Sequence, residues 1–458
     1  MRTTESRLLV PAIVASQLGP PFMFSGVAVA LPRMGVELSA GATSLGLVET
    51  VFLAASLAFL LPAGRLADAG DKRALYLAGL VLFVASSIAI GAVSSMPFIL
   101  AMRFVQGAAS AITAATGPAI LAEVVPPERR GRAYGSSIGA IYAGLTLGPI
   151  AAGALVEAWG WRAVFYGGAA VIFAGAIVVG ALLPVRWRRP RGLAAYAPSG
   201  ALVLASVIAL VAGTALVRRG AVGYACTGAG IALVAAFVVR ERRVARPLLD
   251  VRALAANPAL RTALSVQLLL YVNAFCSVFL LSLYLQSVLH EAPQVAGRTI
   301  AVGSVLMAIV APFSGALADR VRPELLATAG VAAILGSSLL ATTLDAGTSL
   351  PFVTSVLALQ GLGFALFSSP NMTIIMSSVP PSEVGIASAL GAKSRALGML
   401  TGMLLTATLV SLAMGDAPIA TSPDRVVSVM RTTFRALATA TAIALLVSLL
   451  TRLRAPRA

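Results

Sequence analysis

The length of the apolar runs constrains this chain more than any other feature. Fourteen of them carry few charges, with approximate ranges 8–32, 44–66, 74–95, 97–122, 133–156, 163–184, 197–217, 221–240, 262–288, 297–318, 325–344, 350–376, 386–414 and 433–452. A helix of about 20 residues is what roughly 30 Å of hydrocarbon requires. Lipid offers no partner to a backbone N–H or C=O, so each run must be a helix that bonds itself. Composition agrees: the chain is 59% hydrophobic and 11% charged, against about a quarter charged in a soluble domain. The expected fold class is an all-α membrane protein with 14 transmembrane helices. The run from Leu8 to Leu31 follows Arg2 and Arg7, as in a signal peptide. It is long for a signal h-region and reads as the first span.

Charge orients the spans. The net charge is +17, from 34 Lys+Arg and 17 Asp+Glu. In a soluble protein such an excess suggests nucleic acid, but here the loops account for it and no nucleic-acid partner is expected. With the N-terminus in the cytoplasm and loops alternating, one side receives Arg65, Lys72, Arg73, Arg129, Arg130 and Arg132. The same side receives Arg186 to Arg191, Arg240 to Arg252, Arg320, Arg322 and the tail arginines. About 25 basic residues fall inside and about 8 outside, as the positive-inside rule requires. The chain is therefore expected in a plasma membrane, multi-pass, with N- and C-termini cytoplasmic. The arginine-rich usage points to a bacterial source.

Enzyme chemistry has no foothold. Cys226 and Cys276 lie in apolar runs, and His290 is the single histidine. No metal-ligand spacing, nucleophile–base pair or phosphate-binding glycine loop is present. The expectation is no catalytic residue, no metal and no cofactor.

The chain repeats itself. GRLAD at 64–68 matches GALAD at 315–319, Gln106-Gly107 matches Gln360-Gly361, and Val125-Pro126-Pro127 matches Val379-Pro380-Pro381. The offsets are 251, 254 and 254 residues, and all the matched loops share one side. Parallel repeats related by an axis along the membrane normal mark secondary-transporter folds. Each repeat has six helices, so the surplus length between them fits one helical hairpin, spans 7 and 8. The expected organisation is an N-terminal six-helix bundle at 1–192, an inserted two-helix hairpin with cytoplasmic linkers at 193–256, and a C-terminal six-helix bundle at 257–458.

These segments resemble the major facilitator superfamily, most closely its branch of 14-helix drug:proton antiporters, and the likeness covers almost the whole chain. Gly64-Arg65-Leu66-Ala67-Asp68-Ala69-Gly70-Asp71-Lys72-Arg73 resembles the signature loop after span 2. The resemblance implies a gating role for Gly64, Asp68, Lys72 and Arg73, and for Gly315, Asp319 and Arg320 in the repeat. The Arg usually following the acid is Ala69, and the usual loop Gly is Asp71. Span 4 carries Arg103-Phe104-Val105-Gln106-Gly107, whose arginine the family links to proton coupling. Bonding of Arg103 to backbone carbonyls is the alternative, since an intramembrane charge must face the protein interior or water. Span 5 carries Gly144, Gly148, Pro149 and Gly153, a pattern of the family's exporters; small residues let helices approach closely and proline permits a kink. Trp159-Gly160-Trp161-Arg162, Tyr284-Leu285-Gln286 and Ser394-Arg395-Ala396-Leu397-Gly398 also fit the 14-helix branch.

One position departs from the branch. Its antiporters usually carry an acid in span 1, about nine residues before the proline of an Ala-Leu-Pro; here Ala30-Leu31-Pro32 is present but that position is Met23, and the usual Asn is Ala28. Glu49 is the one acid within a span, near the outer end of span 2. It reads as a solvated interfacial glutamate or as the substitute coupling site. Gln17, Gln106, Gln267, Asn273, Gln286, Gln360 and Asn371 are the cavity candidates, each equally able to bridge helices. Spans 1, 2, 4, 5, 9, 10, 12 and 13 are expected around the central path.

The expected function is secondary active transport by alternating access: proton-coupled export of small amphipathic or drug-like compounds. The expected partners are a small-molecule substrate, the lipid bilayer and protons, with the chain a monomer. A facilitator or importer of a metabolite without proton coupling is the alternative, and a non-transporting membrane sensor a more distant one.

Overall fold

The computed structural model describes residues 3–125, 130–182, 196–244, 247–249, 257–318, 320–380, 384–414 and 423–454. Fourteen helices in them are long and apolar enough to cross a membrane, and among the described residues there is no strand. Spans 2 to 6 are Ala42–Ala69, Lys72–Ala92, Met96–Val124, Arg130–Trp159 and Arg162–Leu182; spans 7 and 8 are Ala197–Leu216 and Ala221–Glu241. Spans 9 to 14 are Pro258–Ser287, Pro293–Ala318, Pro323–Ala341, Leu350–Ser377, Val384–Met414 and Pro423–Arg454.

Span 1 differs from the unbroken helix expected. It is two helices, Thr3–Ser16 and Gly19–Glu37, joined at Gln17 and Leu18. The first ends in a tightened turn, with Leu18 N–H donating to Ala15 O at 3.1 Å. Pro20 and Pro21 lack the N–H that a continuing helix would use, but suit the first turn of a new one. Span 14 begins at Pro423, well before the expected 433, for the same reason. The Asp71 carboxylate caps span 3, accepting from the N–H groups of Arg73 and Ala74 at 2.9 and 3.4 Å. An acid thus replaces the signature loop's glycine because it satisfies helix donors left without partners.

The two halves pack alike. In the first, span 2 packs on 4, span 1 on 5 and 6, and span 3 on 4 and 6; in the second, span 10 packs on 12, span 9 on 13 and 14, and span 11 on 12 and 14. The same pairings in the same chain order make two parallel six-helix bundles. The halves meet along two seams, span 5 with 10 and span 2 with 13, while span 1 touches span 9. Span 7 packs against both span 2 and span 13, and span 8 packs chiefly on span 7. Val222, Tyr224, Ile231, Val234 and Val239 of span 8 are left exposed, as a lipid-facing helix requires. The hairpin turns at Val217–Arg219 and Gly220, whose φ of 60° suits glycine. The expected boundaries near 192 and 256 fall among residues outside the described set.

The bundle has two ends. The basic face carries the connections after even-numbered spans, and the far face those after odd-numbered spans.

Candidate transport site

Arg103 is the organising side chain. It lies about two turns into span 4 from the far face, fully buried. Its Nε donates to Val48 O at 3.0 Å, Nη1 to Gln106 Oε1 at 2.6 Å and Nη2 to Glu49 Oε2 at 3.0 Å. Gln106 passes the network on, Nε2 donating to Ser87 Oγ of span 3 at 2.7 Å. The guanidinium also covers the Phe52 ring, 4.6 Å from its centroid, a cation–π contact. Gly107 makes this geometry possible: a Cβ there would strike Phe52 O, so only glycine brings spans 2 and 4 this close.

Glu49 is therefore not the solvated glutamate that its place near a helix end suggested. It is 2% exposed and ion-paired. Hydropathy along one helix cannot reveal a partner on another. Arg103 bonds a backbone carbonyl and a carboxylate at once. The carboxylate is only half used: Oε1 is buried and has no hydrogen-bond partner. Glu49 lines a crevice of ≈ 10 Å³, room for about one water, together with Phe24, Ser25 and Ala28 of span 1, Val278 and Phe279 of span 9, and Met403 of span 13. Phe24 stacks on Phe52 with centroids 5.7 Å apart, so the crevice's aromatic wall continues to the ion pair. The crevice lies on the boundary between the halves.

Met23 takes no part in it. Its thioether is fully buried against Gly168 of span 6, inside the first half. An acid here would sit in an apolar wall, away from the crevice.

The polar cavity candidates resolve into helix bridges. Gln17 Oε1 accepts from Ser137 Oγ at 2.6 Å, while its Nε2 is buried without a partner. Gln267 receives Asn371 Nδ2 at 2.9 Å and donates to Gly391 O at 2.5 Å. Asn273 donates to Ser338 Oγ at 2.6 Å and accepts from Gln360 Nε2 at 3.2 Å. Gln360 is thus placed like its repeat partner Gln106, near a span serine: Ser338 and Ser87 share the 251-residue offset. That serine pair was a readable signal of the repeat's polar layer. With Leu357 in place of Arg103, the described residues of the second half hold no buried cation at this level.

The far face is closed by contacts between the halves. Thr43 Oγ1 donates to Ser411 Oγ at 3.0 Å, Ser282 Oγ to Ala28 O at 2.8 Å and Gln286 Nε2 to Val29 O at 3.0 Å. Gln286 therefore bridges the two halves at this face. The exporter-type glycines divide between two neighbours. Gly144 and Gly148 lie on the backbone of span 1 at Leu18 and Phe22, whereas Gly153 and Pro149 meet Pro293 and Gly297 of span 10. Trp161 Nε1 donates to Glu37 at 2.9 Å, Tyr284 Oη to Asp345 O at 2.5 Å and Ser394 Oγ to Leu264 O at 2.7 Å, so the remaining branch motifs are helix contacts. In the signature loops, Asp319 and the Asp68 side chain lie outside the described residues. Gly64 faces open space, Gly315 abuts Ser369, Lys72 and Arg73 flank the Asp71 cap, and Arg320 is exposed.

Two parallel six-helix bundles with a hairpin inserted between them define a helical membrane transporter. The family model described as Major Facilitator Superfamily matches residues 16–403 and 263–458. The chain belongs to that superfamily, and it is a transporter rather than an enzyme. It is 28% identical over 421 residues to the multidrug resistance protein Stp of Mycobacterium tuberculosis, covering 89% of this chain and 76% of that one. It is 27% identical to the tetracenomycin C resistance and export protein of Streptomyces glaucescens, over 85% and 73% of the two chains. It is 24% identical to the riboflavin transporter RibZ of Clostridioides difficile, over 82% and 81%. Among solved structures, a bacterial homologue of the human lysosomal transporter Spinster, inward-facing and unoccupied, superposes with a TM-score of 0.71 at 14% identity, over 98% and 97% of the chains. These likenesses show the same fold.

Proposed function

We propose that this transporter exports small amphipathic or drug-like compounds in exchange for protons, as a monomer in a bacterial plasma membrane with its basic face in the cytoplasm. The carrying observation is Glu49: one carboxylate oxygen held by Arg103, the other without a partner at the crevice between the halves. Antiport needs a group that a proton and a cargo occupy in turn. Protonation of Glu49 removes its charge and loosens the Arg103 contact; deprotonation restores the pair. A carboxylate on the moving boundary links that exchange to rocking of the halves. The mostly apolar and aromatic lining suits lipophilic cargo, and two relatives are named as drug or antibiotic exporters. The 1–192, 193–256 and 257–458 division is the corresponding domain proposal.

The second reading is a facilitator or importer without proton coupling. Met23 at the branch's usual acid position and the riboflavin-transporting relative favour it. Inverted vesicles separate the two. With a lipophilic dye chosen by a resistance screen, an imposed acid-inside gradient drives dye uptake under the antiport reading, and Glu49→Gln abolishes that gradient-driven part. Uptake that ignores the gradient supports the second reading, whereas gradient-driven uptake that survives Glu49→Gln at wild-type rate removes Glu49 as the coupling group.

A further inference from the structure

A cleft of ≈ 660 Å³ opens at the far face, away from Glu49 and within the second half. It lies between the loop after span 11 and the first turns of span 14, lined by Asp345, Gly347, Asp424, Ser428, Arg431 and Arg435 among others. Its volume is that of a small-molecule site. Asp424, Ser428, Arg431 and Arg435 recur at i, i+4, i+7 and i+11, so span 14 turns one charged face toward the cleft. Bonds within the chain fix both walls. Arg431 Nε donates to Leu344 O at 3.0 Å, and Tyr284 Oη of span 9 donates to Asp345 O at 2.5 Å. Asp345 Oδ1 accepts from Gly347 N–H and from Thr348 Oγ1, both at 3.0 Å. Among the described residues its Oδ2 meets only Arg431 Nη2, at the loose distance of 4.0 Å. Arg435 is exposed and has no ion-pair partner among the described residues.

The first half fills the same place with its own chain. Ser94 is the repeat partner of Asp345, at the 251-residue offset. There Arg162 of span 6 pairs with Glu37, donates to Ser94 Oγ at 2.6 Å and covers the Trp161 ring at 4.3 Å. Span 14 runs for 32 residues against 21 for span 6, and its added turns wall an open cleft instead.

Depth indicates the ligand. Residues 436–450 carry no charge and extend about 22 Å, so Arg435 stands at the edge of the hydrocarbon and Arg431 one turn, about 6 Å, beyond it. Lipid headgroups occupy that zone, since the polar region adds roughly 5–8 Å to each side of the hydrocarbon core. Two guanidiniums there suit a phosphate, which arginine binds with paired, charge-assisted hydrogen bonds. The Asp345 carboxylate beside Arg431 suits a cation that can donate hydrogen bonds.

We propose that this cleft binds an aminoethyl phosphate headgroup, that of a far-leaflet phospholipid with a primary ammonium: Arg435 and Arg431 hold the phosphate and Asp345 the ammonium. A trimethylammonium group has no N–H to give to Asp345, so a choline headgroup fits less well. The site requires neither proton coupling nor a particular cargo.

The test follows thiol modification of Ser428→Cys on the cleft wall of the full chain, with Cys226 and Cys276 replaced by serine and alanine. The chain is placed in nanodiscs of phosphatidylglycerol mixed with either phosphatidylethanolamine or phosphatidylcholine, and treated with a neutral methanethiosulfonate. Phosphatidylethanolamine is expected to slow the reaction about fivefold relative to phosphatidylcholine, the protection of a site roughly four-fifths filled. Ala292→Cys, on another exposed far-face loop, is expected to react equally in both. Arg435→Gln is expected to abolish the lipid difference at Ser428→Cys, and Asp345→Asn to reduce it. Should Arg435→Gln insert poorly, Asp345→Asn decides. Equal rates in the two lipids, or a difference that survives these substitutions in full, overturns the proposal. Equal protection in phosphatidylcholine discs by millimolar soluble phosphoethanolamine also overturns it, because the cleft then takes a free phosphate ester. Loss of proton-driven transport in Glu49→Gln tests the transport site alone.

Discussion

Arg103 donates to Glu49 at 3.0 Å, and the two residues stand on different helices, spans 4 and 2, with neither reaching solvent. One arginine thereby serves two tasks. It satisfies an acid that lipid-depth burial would otherwise penalise, and it ties the first half's inner wall to the boundary where the halves move. The pair cross-links two helices of the first half beside the boundary between the halves, and that position makes its variants informative.

Breaking the pair from one side should cost far more than removing it whole. Arg103→Ala leaves a buried carboxylate uncompensated, a loss of about 3–5 kcal/mol. Arg103→Met combined with Glu49→Gln buries no net charge and should recover most of that loss. Thermal unfolding in detergent checks both: a clear drop in Tm for the single variant and a near-wild-type Tm for the double.

Gly148 leaves no room for a side chain. A Cβ there meets the Ser25 hydroxyl and, at 2.5 Å, the carbonyl oxygen of Phe22. A backbone carbonyl cannot rotate away, so Gly148→Val must push span 5 off span 1, costing about 1–3 kcal/mol by overpacking. Monodisperse yield after detergent extraction should fall, while Gly139→Val, at a position facing open space, should not change it.

The far-face gate contains a hydrogen bond made of two small side chains, Thr43 and Ser411. An interhelical bond of this kind in a membrane averages about 0.6 kcal/mol, so Thr43→Val with Ser411→Ala should raise the far-open population roughly threefold. A cysteine at Ala28 should then react with an impermeant maleimide from the far side about threefold faster. An unchanged rate means that the gate rests on the span 5 and span 10 glycine contacts instead.

Sidedness is open to a direct check. In a chain lacking Cys226 and Cys276, a cysteine at exposed Gly347 should label from outside intact cells. One at exposed Arg242 should label only in inverted vesicles. The reverse pattern would contradict the positive-inside reading.

The sequence disclosed the spans well and the contacts poorly. Thirteen of the fourteen spans are single helices, and all of these but span 14, which starts ten residues early, lie near the expected positions, because hydrocarbon thickness makes length and polarity a local property of each run. The break at Gln17 escaped the hydropathy reading, although Gly19-Pro20-Pro21 carries its signal. Gln267, Asn273 and Asn371 were legible as buried polar residues but not as partners, since hydrogen bonding across helices depends on rotation about each axis. The same held for Glu49. Position along span 2 implied solvent, and only its packing on span 4 removed it.

The amino-acid order alone determined the number of spans, the charge asymmetry of their loops, the parallel repeat and the insert. Each follows from what one segment must do in lipid or from matches between segments. Tertiary structure decided which buried groups meet. It paired Glu49 with Arg103, turned Met23 into the wall and set Gly153 against Pro293. Those relationships join residues 54 to 145 positions apart, and they exist only because helices pack at distances that glycines permit and charges require.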